Sequence, residues 1–122
     1  MYSPQVLDHF EHPRNAGELN DADVTVERSN QVCGDRLRLQ LKLEGDVITE
    51  ARFKVVGCTP TYACASVLTE MVTGKSADFA ASVSWEKIVE ALGGLPPASN
   101  HASKLAIETM RAAIAECSKL RP

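Results

Sequence analysis

Two of the four cysteines in this 122-residue chain sit against glycines, in Cys33-Gly34-Asp35 and Gly57-Cys58, and His101 opens the last apolar-periodic segment. Thiolate sulfur binds iron and zinc tightly, and carboxylate oxygen and imidazole nitrogen complete mixed sets around the same metals. If Cys33, Asp35, Cys58 and His101 converge, they can hold a thiolate-bound metal centre, either an iron-sulfur cluster or a zinc ion. The remaining cysteines read differently. Cys64 and Cys117 fall on apolar helical faces, where a reduced cysteine packs as a small hydrophobe. His9 and His12 read as helix-end and loop residues, outside any ligand set.

For these groups to meet, the chain must fold them together. Residues 36–43 alternate polar and apolar without a break, the pattern of a strand with one buried face. Glu44-Gly45-Asp46 supplies a turn, and Val47, Thr49, Ala51, Phe53 and Val55 occupy every second position of the next strand, so a β-hairpin is predicted. Both apolar sets must share a face, and a one-residue slip would reverse one of them. The predicted pairs are Leu43 with Val47, Leu41 with Thr49, Leu37 with Phe53 and, at the open end, Cys33 with Gly57. Cys33 and Cys58, remote in sequence, then lie within about one strand spacing, roughly 5 Å, with Asp35 at the same end. Val24 and Val26 suggest a third strand alongside.

Helices account for the rest. Ser3-Pro4 followed by Val6, Leu7 and Phe10 predicts an amino-terminal helix ending near His12-Pro13. Beyond Cys58, the residues Cys64, Val67, Leu68 and Met71 fall on one helical face, with Pro60 in the first turn and Gly74 as a stop. Unpaired N-H groups at that helix start favour negative charge, so a Cys58 thiolate is well placed to ligate. Short helical pieces over 77–81 and 85–92 lead to Gly93-Gly94-Leu95-Pro96-Pro97. A final helix beginning near Asn100 or His101 carries Ile107, Met110, Ile114, Cys117 and Leu120 as its buried stripe. The fold class is α+β: a small three-stranded antiparallel sheet covered on one face by helices, with a long C-terminal helix. Spacing alone does not bring His101 to the hairpin.

The whole chain sets outer bounds. Residues 1–122 are one domain's worth of sequence, long enough to build a core without disulfides. A net charge of -3 with scattered basic residues gives no footprint for nucleic acid. No window approaches the ~20 apolar residues that cross a bilayer, and no export signal is seen, so a cytoplasmic protein with reduced cysteines is expected.

At these same residues the chain resembles the IscU/NifU-type iron-sulfur cluster assembly scaffold family. The likeness runs from Tyr2-Ser3 and Pro13-Arg14-Asn15-Ala16-Gly17 through Cys33-Gly34-Asp35 and Ala51-Arg52-Phe53-Lys54-Val55-Val56-Gly57-Cys58 to Leu95-Pro96-Pro97 and His101. The resemblance implies a non-enzymatic scaffold that receives sulfur from a cysteine desulfurase and iron from a donor. It then passes a transient [2Fe-2S] cluster to recipient apo-proteins. It implies Cys33 and Cys58 as thiolate ligands, Asp35 as the residue that keeps the cluster labile, and His101 as a fourth ligand or close neighbour. Oxygen and imidazole ligands are weaker partners through which a cluster can leave.

The chain departs from the family pattern in two places. Ala102 stands where the family has a third cysteine, its expected sulfur acceptor, and Ala98-Ser99 replace the Val-Lys of the chaperone-binding Leu-Pro-Pro-Val-Lys segment. Cys64 is then either a core residue or a substitute third ligand, and a cluster shared in a homodimer would also make up the deficit of a monomer. Competing functions are a zinc-bound sulfurtransferase accessory of a desulfurase, and a degenerate scaffold kept for partner binding.

Overall fold

The computed structural model describes residues 2–31 and 34–120. The chain runs α1 (Pro4–Glu11), β1 (Val24–Asn30), β2 (Asp35–Glu44), β3 (Val47–Val56), α2 (Thr59–Val72), α3 (Ala77–Ser82), α4 (Trp85–Ala91), a 3-10 turn (Pro97–Ser99) and α5 (Asn100–Leu120). Helix α1 starts as its sequence dictates: the Ser3 hydroxyl accepts the Val6 N-H at 3.1 Å and Pro4 opens the first turn.

The three strands form an antiparallel sheet in the order β1-β2-β3. Leu37, Leu39 and Leu41 of β2 and Ala51, Phe53 and Val55 of β3 turn to the same face and are buried. The predicted hairpin exists, but its register differs. Gly45-Asp46 make a two-residue loop, with Gly45 at φ 62, so Glu44 pairs with Val47 and Leu43 with Ile48. A bulge between Lys42 and Leu43 then leaves Thr49 unmatched, after which Leu41 pairs with Ala51, Leu39 with Phe53 and Leu37 with Val55.

The loop and the bulge each shift the register by one residue. A side-chain period of two makes their sum invisible to the face-matching argument, which is why the alternation alone could not detect them. Locally they matter. Ile48 turns fully into the core and Val47, expected inside, stays 40% exposed. At the open end, Asp35 comes opposite Gly57; Cys33, predicted for that place, lies outside the described residues.

Helices α2 and α5 lie across the sheet, α1 packs on α2, and α3 and α4 pack on α5. On α5 the buried stripe includes Ala102, Leu105, Ala106, Met110, Ala113 and Cys117, and Ile114 is half-buried. Phe53 is 1% exposed at the middle of this layer, so Phe53→Ala would cost about 3–5 kcal/mol. Among the described residues, no helix is long and apolar enough to cross a membrane. The layers leave the open end of the hairpin, the start of α2 and the start of α5 together at one edge.

Candidate metal centre

Asp35 is the first residue of β2, and although charged it is only 3% exposed. Its carboxylate fits because Gly57 opposite has no side chain. A Cβ at Gly57 would stand 2.5 Å from Asp35 Oδ1. Cys58 follows as the residue capping α2, with extended backbone, and its carbonyl accepts the N-H groups of Thr61 at 3.0 Å and Tyr62 at 3.3 Å. Its side chain does not cap the helix. The thiol instead donates to Asp35 Oδ2 at 3.5 Å and lies 3.3 Å from Thr61 Oγ1.

Thr61 completes this corner. Its hydroxyl, 1% exposed on the first turn of α2, donates to Asp35 Oδ2 at 2.8 Å. Sequence reasoning passed over this residue. The signal for it was its place three positions after Cys58, where a first-turn side chain reaches back toward the capping residue.

His101 arrives from the other side, on the first turn of α5. The Ala98 carbonyl can only accept, so Nδ1 carries a proton and donates to it at 3.0 Å. In the neutral ring Nε2 then bears a lone pair, and that atom is buried with no hydrogen-bond partner, 3.3 Å from Asp35 Oδ2. A nitrogen lone pair facing a carboxylate oxygen calls for a cation or a proton between them.

Sulfur of Cys58, oxygen of Asp35 and nitrogen of His101 all lie within 4.8 Å of one another, the one such group among the described residues. A tetrahedral metal with bonds of about 2.0–2.3 Å needs donors roughly 3.3–3.8 Å apart, so small adjustments suffice. The donor chemistry and the orphaned Nε2 both fit a metal. A groove of about 280 Å³ runs beside His101, lined by Ser29, Asn30, Gln31, Lys104 and Glu108.

The other candidates fall elsewhere. Cys33 lies outside the described residues. Cys64 is fully buried in the core; burial, and to a lesser degree the neighbouring Cys58, pushes its thiol up to about 12. Cys117 is buried on α5, and Ala102 is fully buried beside His101. His12 is exposed, whereas His9, expected at a helix end, is buried, with Nδ1 2.8 Å from Ser66 Oγ.

Residues 1–121 match the model of the NifU-like N-terminal domain. The chain belongs to that family. It is also similar to individual proteins. An iron-sulfur cluster assembly scaffold protein IscU of Aquifex aeolicus is 44% identical over 115 residues, covering 93% of this chain and 73% of the relative. A zinc-dependent sulfurtransferase SufU of Bacillus subtilis is 42% identical over 84 residues, covering 69% and 56% respectively. The solved N-terminal structure of a nitrogen-fixing NifU-like protein from Brucella abortus superposes with a TM-score of 0.79 at 19% identity, over 98% of this chain and 95% of that one. That likeness shows the shared fold, an α+β layer whose sheet and long last helix agree with the sequence-based expectation.

Proposed function

We propose that this chain is an iron-sulfur cluster assembly scaffold, holding a transient [2Fe-2S] cluster and passing it on without turnover of its own. The observation that carries this reading is the convergence of Cys58 sulfur, Asp35 oxygen and His101 nitrogen, all within 4.8 Å of one another. Family membership and the Aquifex aeolicus relative support it. Cys33, two positions before Asp35 in the sequence, is the further thiolate in this proposal.

The residues divide the work by chemistry. Cys58 must lose its proton to ligate, and its S-H already points at a carboxylate oxygen of Asp35. His101 presents its lone pair without rearrangement, because Nδ1-H is anchored on Ala98. Asp35, an oxygen donor among softer ones, is the ligand most easily given up when cluster is handed to a recipient. Cys64, with its thiol pushed up to about 12 by burial, is assigned to packing in this scheme. Partners are a cysteine desulfurase, an iron donor and recipient apo-proteins, met in the reducing cytoplasm that keeps the thiols free.

One observation favours a second reading. The mixed sulfur, oxygen and nitrogen set suits zinc, and a relative at 42% identity is a zinc-dependent sulfurtransferase. Incubating the protein anaerobically with a desulfurase, cysteine, ferrous iron and an apo [2Fe-2S] acceptor tests the first reading. Faster acceptor maturation than in a control lacking this chain supports the scaffold. Persulfide relay by a zinc-loaded protein that carries no cluster supports the second.

A further inference from the structure

Asp35 Oδ2 is the oxygen on which the centre turns, and it accepts from two donors while a third group faces it. Of these three contacts, Cys58 and His101 are ligand candidates. The third, Thr61, is chemically unlike them: a neutral hydroxyl, 1% exposed, with one proton to give. It gives that proton to Asp35 at 2.8 Å, the shortest contact this oxygen makes with the three groups.

We propose that Thr61 is a positioning residue for the metal centre, fixing the Asp35 carboxylate in its ligating pose. The proposal rests on the reading of Asp35, Cys58 and His101 as a metal centre. Thr61 is suited to the task for three reasons. Threonine on a helix has only two favoured χ1 rotamers, so little freedom is lost in holding the hydroxyl on Asp35. Its helix, α2, is the one that Cys58 caps, so the hydrogen bond ties the carboxylate from β2 to the same turn that carries the thiol. Finally, Gly57 leaves the carboxylate room, and room without a tether would let it swing away from Cys58 and His101. A donor of this kind acts on a metal through the ligand it orients.

Cobalt(II) binding to the metal-free protein provides the test, read from its visible absorbance and from competition with a chelator. Thr61→Val keeps the shape and removes the hydroxyl; it should bind cobalt about 10–100-fold more weakly than the parent, with an altered ligand-field band. Thr61→Ser should restore both affinity and spectrum. On an Asp35→Ala background, Thr61→Val should change nothing further, an outcome a merely structural residue would not give. If Thr61→Val does not fold by circular dichroism, Thr61→Ala removes the same hydroxyl and must show the same loss; unfolding of both would overturn the proposal. A parent that takes no cobalt would sink the metal-centre reading and this assignment with it. A parent that binds cobalt, with Thr61→Val matching it in affinity and spectrum or Thr61→Ser failing to restore the loss, would overturn the assignment of Thr61 alone.

Discussion

Nε2 of His101 faces Oδ2 of Asp35 across 3.3 Å, buried and without a hydrogen bond between them. The other ring nitrogen is committed to Ala98, so the ring cannot turn to relieve the contact without losing that bond. A cation placed between the two groups satisfies both. Replacing His101 by alanine should therefore weaken zinc binding by about 100-fold or more, measured by chelator competition. An unchanged affinity would remove His101 from the centre.

Gly57 should matter to metal binding although it offers no donor. A methyl group there would meet Asp35 Oδ1 at 2.5 Å, and the group able to yield is the carboxylate, not the backbone. Gly57→Ala is expected to keep its circular dichroism spectrum while losing roughly tenfold in zinc affinity, because the displaced carboxylate leaves Thr61 and the donor set. Unfolding, or an affinity equal to the parent's, would show that this packing does not govern the site.

Much of this arrangement was legible in the sequence. The unbroken alternation over 36–43 gave the central strand, and motif resemblance pointed to His101, which no spacing argument could bring to the hairpin. The structure supplies the missing link: α5 begins where the open end of the hairpin lies. The register was misjudged because the two-residue loop and the Thr49 bulge cancel in face, leaving no trace in a period-two pattern. Thr61 was missed because a lone threonine in a helical stretch has no periodic signature. Its role appears only when Asp35, from another element, is set beside it.

A second histidine gives a pH dependence of stability. Ser66 Oγ accepts the Arg14 N-H at 2.8 Å and lies 2.8 Å from His9 Nδ1, in hydrogen-bond contact. Burial above all, with help from the Arg14 charge, holds His9 below its ordinary value near 6.5. The unfolded chain thus takes up the proton first as pH falls, and the fold keeps its full stability only above about 6.5, losing part of it below. In the metal-free protein, the melting temperature should drop more between pH 7.5 and about 5.5 in the parent than in His9→Asn. Parallel curves would contradict this.

Cys64 separates packing from ligation. Fully buried, with a thiol that burial pushes up to about 12, it should be dispensable for metal and costly for the core. Cys64→Ala is expected to bind cobalt within about twofold of the parent and to lose about 1 kcal/mol in denaturant unfolding. A tenfold loss of cobalt affinity would instead make Cys64 the ligand that Ala102 cannot be.

Anaerobic reconstitution with ferrous iron and sulfide, followed by iron and sulfide analysis and visible circular dichroism, tests the scaffold reading most directly. The reading predicts a [2Fe-2S] spectrum with equal iron and sulfide, abolished by Cys33→Ser or Cys58→Ser and passed to an apo acceptor on mixing. A protein that instead keeps one tightly bound zinc per chain and takes up no cluster would contradict it.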